Sequence, residues 1–413
     1  MAADKDRWLW FAEDQFVDSP LAAEPDDPGV RKRAAAHPAV VRAMALHSQG
    51  QPEAALAELA TVAGAKEGRA DACLLAGQIQ FEQQRYEEAA QSYQRLAEVA
   101  PEHRAAQFNR GVCLARLGRW KDAVECFERA ALAAPERGAA WFGLGVSLLH
   151  ERRGAEARAA FGQSLKLRPE HVPSLAGEAA ALQMTEKFGP ALAIYRRLLD
   201  EKPDLPELLA NGLAVAVELR ERSLVREWAG KLLELDPRSR TALLAQAVAA
   251  IDAGDPEEAM RFCAKLAAVS GTFDDWHNLG VCYQRLDRPD DAFRAFERAA
   301  ALRPGDPETV KALAFLAIER RDIQAAARYH RALGDASWEA SFQLGLLYQD
   351  EKRFNEAAGL YREALRQKPD CAEALINLGH VHIALGQADK ARECWSKAVE
   401  LRPEIASQYF GKS

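Results

Sequence analysis

Few residues in this chain have the types and spacing that chemistry requires. Gly411-Lys412-Ser413 has the ending of a phosphate-binding loop, but the loop's first glycine would fall at Ala406, and no helix can follow the final serine to hold a phosphate. His380 and His382 are two residues apart, which sets them on different faces of a helix rather than on one metal ion. His47, His150 and His171 have no cysteine or carboxylate constellation around them in the sequence and read as core or surface histidines. Seven cysteines, at 73, 113, 126, 263, 282, 371 and 394, include no CxxC pair. That spacing fits neither a zinc site nor a disulfide framework and implies reduced, buried thiols in a cytoplasmic protein. HExxH and GxSxG are both absent. The expectation is a chain without catalytic residues, bound metal or cofactor.

Composition narrows the class further. The 413 residues are 48% hydrophobic and 28% charged, and 54 Lys and Arg stand against 61 Asp and Glu. A nucleic-acid binder needs a basic excess to hold phosphates, so nucleic acid is not an expected partner. No run of 18 apolar residues is present, so no membrane insertion is expected. Asp4, Asp6, Glu13 and Asp14 interrupt what would be the apolar core of a secretion signal. Length alone suggests two or three globular domains.

What must position any functional residue here is a repeat. Pro101, Pro135, Pro169, Pro203 and Pro237 are 34 residues apart, and the series resumes at Pro304, Pro369 and Pro403. Between prolines one pattern recurs. In the stretch from Phe273 to Pro304, Trp276, Leu279, Gly280 and Tyr283 share one face of a first helix, and Ala292, Phe296 and Ala299 one face of a second. The small residues let the two helices approach, and the proline ends the second because it lacks an N–H donor and disfavours helix in the residue before it.

This pattern resembles the tetratricopeptide repeat (TPR) family over nearly the whole chain. Unit starts are expected at 36, 70, 104, 138, 172, 206, 240, 273, 307, 338 and 372, a solenoid spanning 36–405. The glycine recurs as Gly77, Gly111, Gly145, Gly280, Gly345 and Gly379, and the large second-helix residue as Tyr93, Phe127, Phe161, Tyr195, Phe296, Tyr361 and Trp395. Units 206, 240 and 307 lack the glycine, and Ala229, Cys263 and His330 replace the aromatic. The fold implied is all-α, a right-handed superhelical α-solenoid of about eleven helix-turn-helix units.

By the same resemblance, the first helix of each unit lines a concave groove through its residues 2, 5, 9 and 12. Phe108, Val112, Phe142, Val146, Leu149, Phe342 and Leu346 fall on that stripe, with Phe81, Phe315 and Ile383. An apolar groove is a binding candidate; the alternative is that neighbouring helices cover these side chains. Asp274, Glu308, Glu339 and Glu373 form an acidic edge, read either as complementary to a basic partner or as ordinary first-turn acids. Asn109, Asn278 and Asn377 hold the sixth place, where peptide-binding TPR proteins use asparagine to grip a ligand's backbone; consensus drift is the plainer explanation. The lysine, asparagine and arginine set of the carboxylate-clamp type is absent.

Residues 1–35 lie outside the repeats, with Trp8, Trp10, Phe11 and Phe16 among acids. They read as a disordered tail, a helix capping the first unit, or an aromatic peptide that engages a groove in this chain or another. Residues 406–413 form a short tail in which Tyr409 and Phe410 can cap the last unit by one helical turn. The expected function is an adaptor or scaffold that holds an extended or amphipathic partner segment carrying apolar and basic residues. A self-assembling homo-oligomer is the alternative binder, and an enzyme of unusual design, with its site inside the superhelix, the alternative of another class. No room is expected beyond the repeats for a separate catalytic domain.

Overall fold

The 34-residue period becomes helix pairs because each half of the repeat carries its own stop signal. The structure, a computed structural model, describes residues 37–62, 67–334 and 337–404, and among these residues it holds 22 α-helices and no strand. They divide into two compact units, one up to Leu235 and one from Asp236. The first contains α1 (Pro38–Ser48) with α2 (Pro52–Ala60), α3 (Arg69–Glu82) with α4 (Tyr86–Val99), and α5 (Arg104–Arg116) with α6 (Trp120–Ala133). It continues with α7 (Gly138–His150) and α8 (Gly154–Leu167), α9 (Val172–Met184) and α10 (Phe188–Glu201), and α11 (Pro206–Glu218) and α12 (Arg222–Leu235). The second contains α13 (Arg240–Ala253) with α14 (Pro256–Val269), α15 (Phe273–Arg285) with α16 (Pro289–Leu302), and α17 (Pro307–Glu319) with α18 (Ile323–Leu333). Its last pairs are α19 (Trp338–Asp350) with α20 (Phe354–Gln367) and α21 (Ala372–Ala384) with α22 (Ala388–Leu401). Within each unit, the two helices of a pair pack together, and the second packs on the first helix of the next pair.

The stop signals are of two kinds. Each even-numbered helix from α4 to α14 other than α14 itself, and likewise α16, α20 and α22, ends two residues before a proline, as α4 ends at Val99 ahead of Pro101. Odd-numbered helices end instead on a residue in the left-handed conformation. Gly50, Gly118, Gly254 and Gly386 supply it in four pairs. Gln84, Arg152, Glu186, Arg220, Asp287, Arg321 and Lys352 supply it in the other seven, with φ of 54–60°. The next amide then donates to a carbonyl five residues back, as Arg153 N does to Leu148 O at 2.8 Å and Gln387 N to His382 O at 2.8 Å, so that orphaned helix-end carbonyls are satisfied. The sequence reading missed this device, because a left-handed arginine or lysine has no signature in its residue type.

The glycines of the repeat are explained by rings. A Cβ on Gly77, Gly145, Gly280 or Gly345 would stand 2.7–2.8 Å from the Tyr93, Phe161, Phe296 or Tyr361 ring of the same pair, closer than side chains approach. Where the ring is absent, at Leu59, Ala229, Cys263 and His330, the facing place holds Ala43, Leu213, Ala247 and Ala314. Ala179 takes the glycine's place in the pair that carries Tyr195. Most pairs thus bury one large side chain between their helices, the α13–α14 pair with Ala247 and Cys263 being an exception.

Candidate binding surface

Burial divides the expected groove residues into two groups. In the first unit, Phe108, Asn109, Val112, Phe142, Val146 and Leu149 are all buried, Asn109 against Tyr93 of α4. This corrects the expectation of an exposed stripe there. Phe108 packs edge-on against Phe127 at 5.6 Å with the Arg137 guanidinium 4.4 Å over its ring, and Phe142 meets Phe161 and the His171 ring. Helix α7 is apolar all round, and ten of its thirteen residues are buried.

The physical reason is a second set of glycines at the sixth place of the first helix. A Cβ at Gly143 would lie 2.7 Å from Phe127, and one at Gly177 only 2.4 Å from Phe161, both rings belonging to the preceding pair. These glycines let α7 and α9 seat directly on the rings of the preceding pairs, and α7 touches both α5 and α9. The sequence holds the signal, a glycine at place six, but only the ring beyond it shows what it does.

In the second unit the sixth place holds Ala245, Asn278, Ala312, Gln343 and Asn377. Here the stripe stays half-open. Val281, Phe315, Ile318, Phe342 and Leu346 are partly buried, and Ile383 is 49% exposed. Of the helices that carry them, α17 and α19 lie side by side, as do α19 and α21. Phe342 and Leu346 rest on the core formed by Leu344, Leu347 and Tyr361, and Phe342 lies 5.8 Å from the Tyr361 ring. Their inner halves are anchored while their outer halves meet solvent.

The acidic edge also differs from residue to residue. Asp274 and Glu308 are exposed in the first turns of α15 and α17, and neither has an ion-pair partner among the described residues. Glu373 is engaged by Arg402, and its own backbone amide together with that guanidinium holds its carboxyl below the usual range. Glu339 accepts from Ser337 Oγ at 3.0 Å. Asn278 and Asn377 are partly buried on the open stripe, and Asn377 Nδ2 donates back to Glu373 O at 2.9 Å. Lys311 also stands on this surface, exposed.

The histidines show no convergent site. His380 is exposed and His382 buried, on different faces of α21. His150 stacks on Trp120 with centroids 3.5 Å apart, and burial lowers its pKa to about 4. His171 Nδ1 lies 2.7 Å from Ser174 Oγ, at a helix start. Among the described residues no group of three or more His, Cys, Asp and Glu is arranged to hold a metal, and no helix is long and apolar enough to cross a membrane. All seven cysteines are free; Cys73 and Cys394 are only partly buried, unlike the other five. Trp8, Trp10, Phe11, Phe16, Tyr409, Phe410 and Gly411-Lys412-Ser413 lie outside the described residues.

Models of the tetratricopeptide repeat match residues 40–98, 74–125, 114–172, 241–265, 273–306 and 348–409. The chain belongs to the tetratricopeptide repeat family. Stretches of it are shared with other proteins. BBSome complex member BBS4 of Mus musculus is 33% identical over 118 residues, which is 28% of this chain and 22% of that protein. Human protein O-mannosyl-transferase TMTC1 is 24% identical over 171 residues, 41% of this chain and 16% of that protein. The chain thus spans about a fifth or less of the length of these relatives. Among solved structures, the C-terminal part of a TPR repeat-containing protein from Cytophaga hutchinsonii aligns with a TM-score of 0.50 at 16% identity, over 58% of this chain and 99% of that one. The likeness is one of fold, an all-α array of TPR helix pairs.

Proposed function

We propose that this TPR protein is an interaction scaffold whose docking surface is the half-open stripe on α15, α17, α19 and α21. The observation that carries the reading is the contrast between units. Phe342, Leu346, Phe315 and Ile383 keep solvent-facing area where Phe108, Val112, Phe142 and Val146 keep almost none. A row of partly exposed apolar side chains, with acids at Asp274 and Glu308 that have no ion-pair partner among the described residues, favours an extended or amphipathic segment with apolar residues on one face and Lys or Arg along its edge. Asn278 and Asn377 supply amides for the segment's backbone. Membership of a multiprotein complex, which the name of the mouse relative states for that protein, is in keeping with this reading.

The test is a titration of fluorescent peptides, alternating Leu or Phe with Lys, against the full chain by anisotropy. Binding that weakens at least tenfold in Phe342→Ser/Leu346→Ser, and that weakens with added salt through Asp274 and Glu308, supports the surface. Unchanged binding in a folded double variant refutes it. Self-association through the exposed Ile383 and Leu401 of the last described pair is the second reading, and light scattering over a concentration series separates the two.

A further inference from the structure

Cys263 breaks the repeat pattern, standing where the other pairs carry an aromatic ring or an alanine, leucine or histidine. The structure places a second cysteine opposite it. Cys263 of α14 and Cys282 of α15 are both buried, 2% exposed, with their sulfur atoms 3.8 Å apart and hydrogen-bonded. Their meeting follows from the repeat. The ring place of one pair faces the tenth residue of the next, as Tyr93 faces Cys113, and in this pair both places are thiols. Ala247 occupies the place where a glycine would make room for a ring, so the smaller Cys263 matches its surroundings.

We propose that Cys263 and Cys282 are a peroxide-oxidisable dithiol that closes a disulfide between α14 and α15. The two residues differ in their surroundings, which assigns their roles. The Cys263 hydrogen bond, with Arg285 one turn along α15, lowers the pKa of Cys282, which makes it the more acidic thiol of the pair. The same hydrogen bond, burial and the Asp275 carboxylate raise Cys263. Asp275 is held in place by Ser270 Oγ at 2.6 Å and Thr272 Oγ1 at 2.7 Å, with Arg240 3.6 Å away. The more acidic Cys282 is therefore assigned the attack, once it has lost its proton, and Cys263 the resolving step.

The chemistry balances with a hydroperoxide as the oxidant. Cys282 gives up its proton and its sulfur attacks one peroxide oxygen; the S–O bond forms, the O–O bond breaks, and the departing hydroxide takes that proton to become water. Cys263 then gives up its proton and attacks the sulfenic sulfur; the S–S bond forms, and hydroxide leaves with that proton as a second water. Two thiols lose two electrons and peroxide gains them. Burial selects the oxidant class: a small neutral peroxide can reach these sulfurs, whereas a bulky disulfide such as oxidised glutathione cannot.

Hydrogen peroxide, added in small excess to the folded full-length chain at pH 7, tests the assignment, with denaturing alkylation and tryptic mapping as the readout. The expected product has lost about 2 Da, is restored by dithiothreitol, and yields the peptide Phe262–Lys265 linked to Leu266–Arg285. Thiols alkylated under denaturing conditions fall by two from the seven of the reduced chain. Cys263→Ala and Cys282→Ala each abolish the link, and Cys113→Ala, in the other unit, leaves it intact. The proposal is overturned if Cys263 and Cys282 stay alkylatable while Cys73 and Cys394 oxidise, or if the link forms only after unfolding in urea. It is overturned equally if oxidised glutathione forms the link in the folded chain as fast as peroxide does.

Discussion

Two glycines of one helix pair should respond oppositely to the same added methyl group. Gly345 on α19 faces the Tyr361 ring, and a Cβ there would lie 2.8 Å from Cε1 and 3.0 Å from Cδ1. Gly359 on α20 has nothing within 4 Å of its would-be Cβ. Alanine at Gly359 should follow helix propensity alone and stabilise by about 0.5–1 kcal/mol. At Gly345 the same gain is opposed by overpacking of about 1–3 kcal/mol, because the ring must withdraw by most of an ångström in a fully buried site. The ring is also tethered, since Tyr361 Oη donates to Gln349 Oε1 at 2.8 Å, and breaking that bond removes about 1 kcal/mol more. The net expectation for Gly345→Ala is a loss of about 1–3 kcal/mol. Urea unfolding of both variants, with hydrogen exchange read on α19 and α20 to localise the effect, measures the difference. A double variant, Gly345→Ala/Tyr361→Leu, should cost less than the sum of its parts by about 1 kcal/mol or more, because the smaller side chain relieves the clash. Equal stabilisation by the two alanines, or strict additivity in the double variant, would refute the argument that ring and glycine fit each other.

Further outcomes follow from individual contacts. Phe142→Ala should destabilise the first unit by about 3–5 kcal/mol, whereas the partly exposed Phe342→Ala should cost less, as urea midpoints will report. The folded pKa of His150, about 4, lies below its ordinary value of 6.5, so the unfolded chain binds the proton more readily. Its contribution is whole above the ordinary value and is lost as pH falls from about 6.5 towards 4; thermal melts at pH 7 and 5 should show that loss shrink in His150→Gln. Asp275→Ala should cost about 1–3 kcal/mol, since the buried carboxylate accepts from Ser270 and from the Thr272 amide and hydroxyl in a capping box, as hydrogen exchange at the start of α15 will show. Burial raises the pKa of Asp275, but the Ser270 and Thr272 hydrogen bonds outweigh it and the result lies below 3.8, so this support fades only as pH falls below the ordinary carboxylate range. Arg152→Gly should stabilise by about 0.5–1 kcal/mol in the same urea assay, because Arg152 holds φ at 59°.

The helix pairs were legible in the sequence because their causes are local and periodic. A proline that stops a helix, a 3.6-residue apolar face and a glycine facing a ring recur with one spacing, so each unit states its fold in its own residues. The left-handed ends were legible only where glycine held them; at Arg152 or Lys352 the surrounding pair imposes the conformation against residue preference. The candidate site was half legible. Spacing placed Phe108, Phe142 and Phe342 on equivalent faces, but equivalence within a unit does not fix exposure, which depends on how closely the next pair approaches. In the first unit that approach is marked by Gly143 under Phe127 and Gly177 under Phe161, whereas the second unit has Asn278, Gln343 and Asn377 at the same place. The meeting of Cys263 with Cys282 has the same origin. By itself the sequence determined the repeat, its class and the residues on each helix face. Tertiary packing decided which of those faces stay open, because a gap between neighbours is a property of two surfaces and the spacing of residues describes only one.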